Sequence, residues 1–133
     1  MSAAPAETEK RKLLVIDDSE LILAAEEAVL TAAGFEVRTV SSLRQFVNAL
    51  IDWQPHMIVT DLYMPEMQGD ALCTWVRQQV ATANIPIVLY SSAPDAELAE
   101  VAKSVRADGF VSKNAGIEAL PDRLNQLCDE ILW

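Results

Sequence analysis

Apolar residues recur along the chain in two spacings that alternate from one end to the other. Five short runs are apolar at nearly every position or rich in β-branched residues, which is typical of strands buried on both faces of a parallel sheet. These runs are 13–16, 35–40, 57–60, 87–90 and 109–111. After each run, apolar residues return every three to four positions, which is the period of an amphipathic helix. The pattern predicts five strand–helix units in succession.

Capping and turn residues fall between these segments, where helices are expected to begin and end. Gly34 follows the first predicted helix, whose apolar stripe includes Ile22, Ala25 and Val29, and Ser42 is a candidate N-cap for the second. Strands joined through single helices pair in parallel through right-handed crossovers, which place helices on both faces of the sheet. The predicted fold is α/β, a doubly wound (βα)5 architecture with a parallel five-stranded sheet.

Composition narrows the class of protein further. The chain has 133 residues, 51% of them hydrophobic, which suits one packed domain, and its net charge of −10 argues against direct binding to nucleic acid. No apolar run is long enough to span a membrane, and residues 1–11 resemble a flexible leader rather than a secretory signal. Cys73 and Cys128 lie in helical patterns, where we expect buried thiols of a reducing compartment. We therefore expect a single cytoplasmic domain at residues 12–133.

Polar residues that can bind a metal or take part in catalysis directly follow four of the predicted strands. Asp17 and Asp18 follow the first strand, Asp61 the third, Ser91 the fourth and Lys113 the fifth. The carboxyl ends of parallel strands meet at one edge of a sheet, which is where ligands bind in open α/β folds. Carboxylates that close together repel one another unless a cation neutralises them, and hard oxygen donors suit Mg²⁺. Carboxylate, metal, hydroxyl and ammonium together are what phosphoryl transfer requires.

Each of these residues also has an ordinary structural interpretation. Asp17 and Asp18 could cap the first helix, Asp61 could form a turn, Ser91 could cap the fourth helix, and Lys113 could be an exposed lysine. Their joint position at one sheet edge favours the functional interpretation.

The segments that contain these residues resemble the receiver domain of bacterial two-component response regulators. The resemblance covers residues 12–133 and depends on several motifs in matching order. They are LVIDDS at 14–19, IVTDLYMP at 58–65 followed by Gly69, PIVLYS at 86–91 and GFVSK at 109–113. The resemblance implies a flavodoxin-like fold with strand order 2-1-3-4-5, in which the first and third strands are neighbours.

The resemblance also implies a role for each site residue. Asp61 would accept a phosphoryl group from the phosphohistidine of a histidine kinase or phosphotransfer protein. Asp17, Asp18, Asp61 and the backbone carbonyl of Tyr63 would hold Mg²⁺ (or Mn²⁺), and Ser91 would bind a phosphoryl oxygen. The chain would then be a signalling domain rather than an enzyme, catalysing only its own phosphorylation and dephosphorylation.

Three further expectations concern the switch and its output. Lys113 would pair with another phosphoryl oxygen, and Phe110 would turn inward as Ser91 moves, unless Phe110 is always buried. Output would pass through the face formed by the fourth helix, fifth strand and fifth helix. The recipient would be a downstream protein target, an output domain missing from this chain, or a second copy in a phosphorylation-dependent homodimer.

Two residues depart from the family pattern. Asn114 stands where the family usually has a proline in a cis peptide, so either the loop takes a trans path or Lys113 is held differently. Tyr63 is bulky for its position two residues after Asp61, and a ring over the acyl phosphate would slow its hydrolysis.

The run 21–23 is more apolar than a one-sided helix needs, so it either packs in the core with a single exposed leucine or receives a partner helix.

One alternative function stays open. A degenerate receiver would act as an interaction module without phosphorylation, as Tyr63 and Asn114 allow and the intact acidic residues oppose. A flavin site is disfavoured because Asp17 and Asp18 stand where a phosphate-binding loop would need glycine or hydroxyl residues. A haloacid-type phosphatase is disfavoured because it would need an aspartate at the position of Tyr63.

Overall fold

The computed structural model describes residues 10–62, 69–79 and 82–131. Strands and helices alternate along the chain as the hydrophobic pattern predicts. The strands are β1 (Lys12–Ile16), β2 (Glu36–Val40), β3 (Met57–Thr60), β4 (Ile87–Ser91) and β5 (Gly109–Ser112). The helices are α1 (Glu20–Ala32), α2 (Leu43–Asp52), α3 (Gly69–Gln78), α4 (Asp95–Val105) and α5 (Ala119–Ile131). A single 3₁₀ turn, Lys113–Ala115, follows β5 within these described ranges.

The five strands form one parallel sheet with the order β2-β1-β3-β4-β5, which confirms the predicted fold and strand order. Alternate residues of each strand point to opposite faces of the sheet. Leu14 and Ile16 of β1 join a core with α2, α3 and α4, whereas Leu13 and Val15 join a core with α1 and α5. The sheet is therefore covered on both faces, and only its edges and strand ends are open to ligands.

The buried face of α1 differs from the predicted one. Leu23, Glu26 and Leu30 are buried, whereas Ala25 is exposed. The run of leucine, isoleucine and alanine at the start of the helix allows two stripes one position apart. The observed stripe buries two leucines, each contributing about 1.5–3 kcal/mol when fully buried, which the predicted stripe with its alanine could not match. With this face of the helix buried, Leu21 points outward and is 83% exposed, whereas Glu26 lies in the interior.

Other local predictions are confirmed. The Ser42 hydroxyl accepts a hydrogen bond from the Gln45 backbone N–H and caps α2. Gly34 has a φ of +101°, a left-handed conformation that glycine adopts without steric strain. Cys73 and Cys128 are buried thiols that are not joined in a disulfide, and burial raises the pKa of the Cys128 thiol. None of the described helices combines the length and apolar character that crossing a membrane requires.

Candidate functional site

Asp17, Asp18 and Asp61 come together at the carboxyl edge of the sheet. β1 and β3 are neighbours, with Ile16 paired to Thr60, so the residues that follow the two strands meet. Each aspartate offers one carboxylate oxygen within 4.8 Å of the others. Asp17 is buried, Asp61 is half-buried and Asp18 is exposed, so the cluster opens to solvent on one side. The strand order thus brings together residues that lie more than forty positions apart in the chain.

The loop after β1 shows which part of Asp17 has a local structural role. Its Oδ1 atom accepts a hydrogen bond of 3.0 Å from the Ser19 backbone N–H. The Ser19 hydroxyl in turn caps α1 by accepting from the Ile22 backbone N–H at 3.3 Å. The helix cap is therefore Ser19, and the second oxygen of Asp17 remains directed into the aspartate cluster, where it accepts from Lys113.

Lys113 reaches this cluster from the end of β5. Its Nζ atom donates to Asp17 Oδ2 at 3.0 Å and to Asp61 Oδ2 at 3.2 Å. Burial alone would lower the pKa of Lys113, but the charges and hydrogen bonds of these two carboxylates outweigh it, and the pKa is raised. Lys113 is therefore positively charged at neutral pH and bridges two of the three aspartates.

The loop at Asn114 takes a trans path and still lets Lys113 reach the cluster. No peptide bond is cis in the part of the chain that the structure describes, so the loop after Lys113 takes a trans path. The Asn114 backbone N–H, which a proline would lack, donates to the Ser112 hydroxyl at 3.1 Å. The Asn114 side-chain amide donates to the Ser92 carbonyl at 3.3 Å and joins the loops after β4 and β5. Lys113 reaches both aspartates on this path.

Ser91 ends β4 beside the cluster and is completely buried. Its hydroxyl accepts from the Ala93 backbone N–H at 3.2 Å, and it does not cap α4, whose N-cap is Pro94. Phe110 on β5 is half-buried and packs against the core shared by α2, α3 and α4. Tyr63, with its predicted carbonyl ligand and ring, lies outside the described residues, as do residues 1–9 of the predicted leader.

Glu26 is a site residue that the sequence pattern misses. Its side chain is 1% exposed, and neither carboxylate oxygen has a hydrogen-bond partner within the described ranges. Burial raises the pKa of Glu26 to about 8; the charges of Asp17 and Asp61 raise it too, and Lys113 opposes them. The only available signal is a glutamate between Leu23 and Leu30 at helical spacing, which is recognisable once the buried stripe of α1 is known.

The donor set fits a hard divalent cation. Mg²⁺ prefers oxygen ligands and is usually held by a few carboxylates together with water. Three carboxylates with mutually close oxygens meet that preference, and the exposed Asp18 leaves one side of the cluster open to water. Lys113 and Ser91 flank the cluster from the two neighbouring strands. This arrangement can bind a metal and neutralise the charge of a phosphoryl group.

Comparisons with known proteins find receiver domains among the proteins that this chain resembles. A family model described as the response regulator receiver domain matches residues 13–125. The chain is similar to a solved structure of the chemotaxis protein CheY4 of Vibrio cholerae, with 28% identity and a TM-score of 0.81, covering 90% of this chain and 99% of that one. It is also similar to the signal receiver domain of a signal transduction histidine kinase from Syntrophus aciditrophicus, with 26% identity and a TM-score of 0.78, covering 91% and 92% of the two chains.

Similarity to curated proteins covers only part of their length. The chain is 29% identical to the transcriptional regulatory protein GltR of Pseudomonas aeruginosa over 117 residues, which is 88% of this chain and 48% of that protein. It is 27% identical to a probable transcriptional regulator, ycf27, of Cyanophora paradoxa, covering 49% of that protein. The chain thus spans about half the length of these relatives.

Proposed function

The chain belongs to the family of response regulator receiver domains, and from this premise we propose that residues 12–133 form one phosphorylation-activated switch of a two-component phosphorelay. Asp61 accepts a phosphoryl group from a histidine kinase or phosphotransfer protein. The supporting observation is the cluster of Asp17, Asp18 and Asp61 oxygens within 4.8 Å of one another, bridged by Lys113. Receiver domains are signalling domains, generally not classed as enzymes.

Partial access together with the contact to Lys113 supports the choice of Asp61 as the acceptor. Its side chain is 12% exposed, against 3% for Asp17, and its position directly after β3 places it at the edge of the sheet. One Asp61 oxygen forms the bond to phosphorus as the bond between phosphorus and the donor nitrogen breaks. Mg²⁺ (or Mn²⁺), held by Asp17, Asp18, Asp61 and the Tyr63 carbonyl, would neutralise charge on the transferring oxygens.

Phosphorylation then alters the surroundings of Asp61. The acyl phosphate carries about −1.5 to −2 charges at neutral pH in place of the single charge of the Asp61 carboxylate, so Lys113 pairs with a phosphoryl oxygen and the Ser91 hydroxyl turns toward another. The hydrogen bond between Asn114 and the Ser92 carbonyl couples the loops after β4 and β5. Phe110 follows, and the face formed by α4, β5 and α5 changes its contacts.

The proposed setting is the bacterial cytoplasm. The recipient of the signal is a downstream protein, an output domain joined to this one in a longer protein, or a second copy of the chain. The net charge of −10 opposes direct contact with nucleic acid.

Phosphorylation by a small donor in the presence and absence of Mg²⁺ tests this proposal. We expect intact-mass spectra after incubation with acetyl phosphate and Mg²⁺ to show a gain of one phosphoryl group, and the gain to disappear when a chelator removes the metal. Acetyl phosphate needs no partner protein, so the result depends on this chain alone. An unchanged mass at saturating Mg²⁺ would contradict the proposal and favour the degenerate receiver.

Leu21 supports a docking role for the start of α1. It is 83% exposed and lies four residues after Asp17, next to the edge where a phosphodonor must approach. We expect Leu21→Glu to slow phosphotransfer from the partner kinase by roughly tenfold or more, since a carboxylate that replaces an apolar contact would be desolvated in the complex without a partner. Phosphorylation by acetyl phosphate should keep its rate.

Ile51 is the matched control for this experiment. It is 67% exposed on α2, one residue before the end of that helix, and α2 leads into the opposite edge of the sheet. Ile51→Glu should leave both reactions unchanged. Equal rates of phosphotransfer from the kinase to wild type and to Leu21→Glu would contradict the docking role.

Tyr63 is proposed to limit loss of the phosphoryl group. Its ring would lie over the acyl phosphate and hinder an attacking water. We expect Tyr63→Asn to shorten the lifetime of phosphorylated protein in Mg²⁺, measured by intact mass after the donor is removed, and Tyr63→Phe to preserve it. An unchanged or longer lifetime in Tyr63→Asn would exclude this role.

A further inference from the structure

Glu26 is a buried carboxyl group that the proposed phosphoryl chemistry does not use. Its side chain is 1% exposed, and its two carboxylate oxygens lack any hydrogen-bond partner among the residues described. A buried acid without a partner destabilises a fold, and an apolar residue of similar size is more favourable at such a position. The neighbouring buried positions of α1, Leu23 and Leu30, are apolar as expected. The carboxyl group is therefore an exception that stability does not explain.

The groups around Glu26 are those of the aspartate cluster. Asp17, Asp61 and Lys113 all act electrostatically on its carboxyl group. The Tyr90 ring lies near the lysine, with its centroid 5.4 Å from Lys113 Nζ. Burial raises the pKa of the Tyr90 hydroxyl, and the charge of Glu26 raises it further. Tyr90 belongs to the same buried core as Leu23 and Leu30, the buried neighbours of Glu26 on α1, so the lysine ammonium and the helix face that carries Glu26 lie in the same part of the protein.

Lys113 occupies oxygen atoms that a divalent cation would need. Its ammonium donates to Oδ2 of Asp17 and of Asp61, and both carboxylates belong to the cluster that fits a metal. A cation bound to these oxygens would repel the ammonium and take away its acceptors. A charged group that stays in a sheltered site without a partner is unfavourable, so the displaced ammonium needs another acceptor.

We propose that Glu26 is a positioning residue for Lys113, and that it accepts the lysine ammonium when a divalent cation occupies the aspartate cluster. The inference depends on the proposed metal-dependent function. Lysine has a flexible four-carbon stem with three rotatable donors, so its ammonium can change acceptors without movement of the backbone. The Tyr90 ring, 5.4 Å from Nζ in this structure, offers the ammonium a favourable cation–π surface. Held in this way, Lys113 stays inside the site, ready to meet a phosphoryl oxygen.

Titration of the full chain with Mg²⁺ in the absence of any phosphoryl donor tests this role. Glu26→Leu removes the acceptor, whereas Glu26→Gln keeps one acceptor oxygen without the charge. We expect Glu26→Leu to bind Mg²⁺ roughly tenfold more weakly than wild type by calorimetry, and Glu26→Gln to lie between them. Glu27→Leu, on the exposed side of the same helix, is the matched control and should bind as wild type does.

The Lys113 ammonium supplies a second readout that simple structural damage would not reproduce. In wild type, Mg²⁺ should shift its nitrogen resonance while its protons remain protected from exchange with water. In Glu26→Leu, the protons should exchange rapidly once Mg²⁺ is bound. Urea unfolding should show that Glu26→Leu is at least as stable as wild type, which separates the functional loss from misfolding.

Two results would overturn the inference. One is equal Mg²⁺ affinity in wild type and Glu26→Leu. The other is an equal loss of affinity in Glu26→Gln and Glu26→Leu, which would mean that only the charge matters. The Mg²⁺ titration contains no phosphoryl donor, so its result does not depend on phosphorylation. Wild-type protein that binds Mg²⁺ in this titration but gains no phosphoryl group from acetyl phosphate in the separate experiment would contradict the proposed function alone.

Discussion

Asp61→Asn is expected to remain unphosphorylated after prolonged incubation with acetyl phosphate and Mg²⁺. The acceptor must be a carboxylate oxygen, and the asparagine amide is not a comparable nucleophile. Asp61 is the cluster residue that combines partial access, at 12% exposure, with a hydrogen bond to Lys113. Intact mass should therefore show a gain of one phosphoryl group in wild type and no gain in the variant.

Substitutions at the other aspartates separate the acceptor from the metal ligands. Asp17→Asn weakens a metal ligand but leaves the acceptor, so we expect phosphorylation to proceed at least about 100-fold more slowly, a loss of about 3 kcal/mol in transition-state stabilisation. Asp52→Asn changes an exposed aspartate at the end of α2 and should behave as wild type. Full phosphorylation of Asp61→Asn would assign the acceptor to another residue.

Lowering the pH from about 9 to about 5 is expected to stabilise the wild-type protein relative to Glu26→Gln by about 4 kcal/mol. The folded state holds the Glu26 proton tightly, because burial raises its pKa to about 8 from an ordinary value of 4.5. A carboxyl group with a raised folded-state pKa contributes stability that is complete below its unfolded pKa. That contribution is lost as the pH rises toward 8, and it amounts to about 5 kcal/mol over the whole range.

Urea unfolding without divalent metal at several pH values measures this effect. The difference in unfolding free energy between wild type and Glu26→Gln isolates the one group, because all other titrating groups are common to both. Glu27→Gln removes an exposed carboxyl one position further along α1 and should give a difference that changes little with pH. A pH profile of Glu26→Gln that runs parallel to that of wild type would contradict the burial of an unpaired carboxyl.

The fold was largely predictable, because strands buried on both faces and one-sided helices leave different hydrophobic periods. The phase of α1 was not predictable in this way. Alanine contributes little to burial, so the stripes that contain Ile22 or Leu23 are nearly equivalent in pattern. Packing of Leu23 and Leu30 against the sheet selects between them. The predicted and observed buried stripes differ by about one position along the helix. The observed stripe includes Glu26 and leaves Leu21 exposed.

The aspartates and the lysine of the site could be predicted from the sequence, whereas Glu26 could not. Asp17, Asp61 and Lys113 follow strands, and the carboxyl ends of parallel strands meet whatever the helices do. Glu26 comes from a helix interior, so its place near the site depends on a rotation that tertiary packing sets. The path after Lys113 was open as well, because it depends on whether the Asn114 N–H finds an acceptor, and Ser112 supplies one.

Locating the phosphoryl group on the chain tests the central claim most directly. Wild-type protein treated with acetyl phosphate and Mg²⁺ would be reduced with borohydride, which converts an aspartyl phosphate to homoserine, and its peptides sequenced by mass spectrometry. The account predicts homoserine at position 61, with Asp17 and Asp18 unchanged. Homoserine at another aspartate, or no homoserine in protein that binds Mg²⁺, would contradict the assignment of Asp61 as the phosphoacceptor.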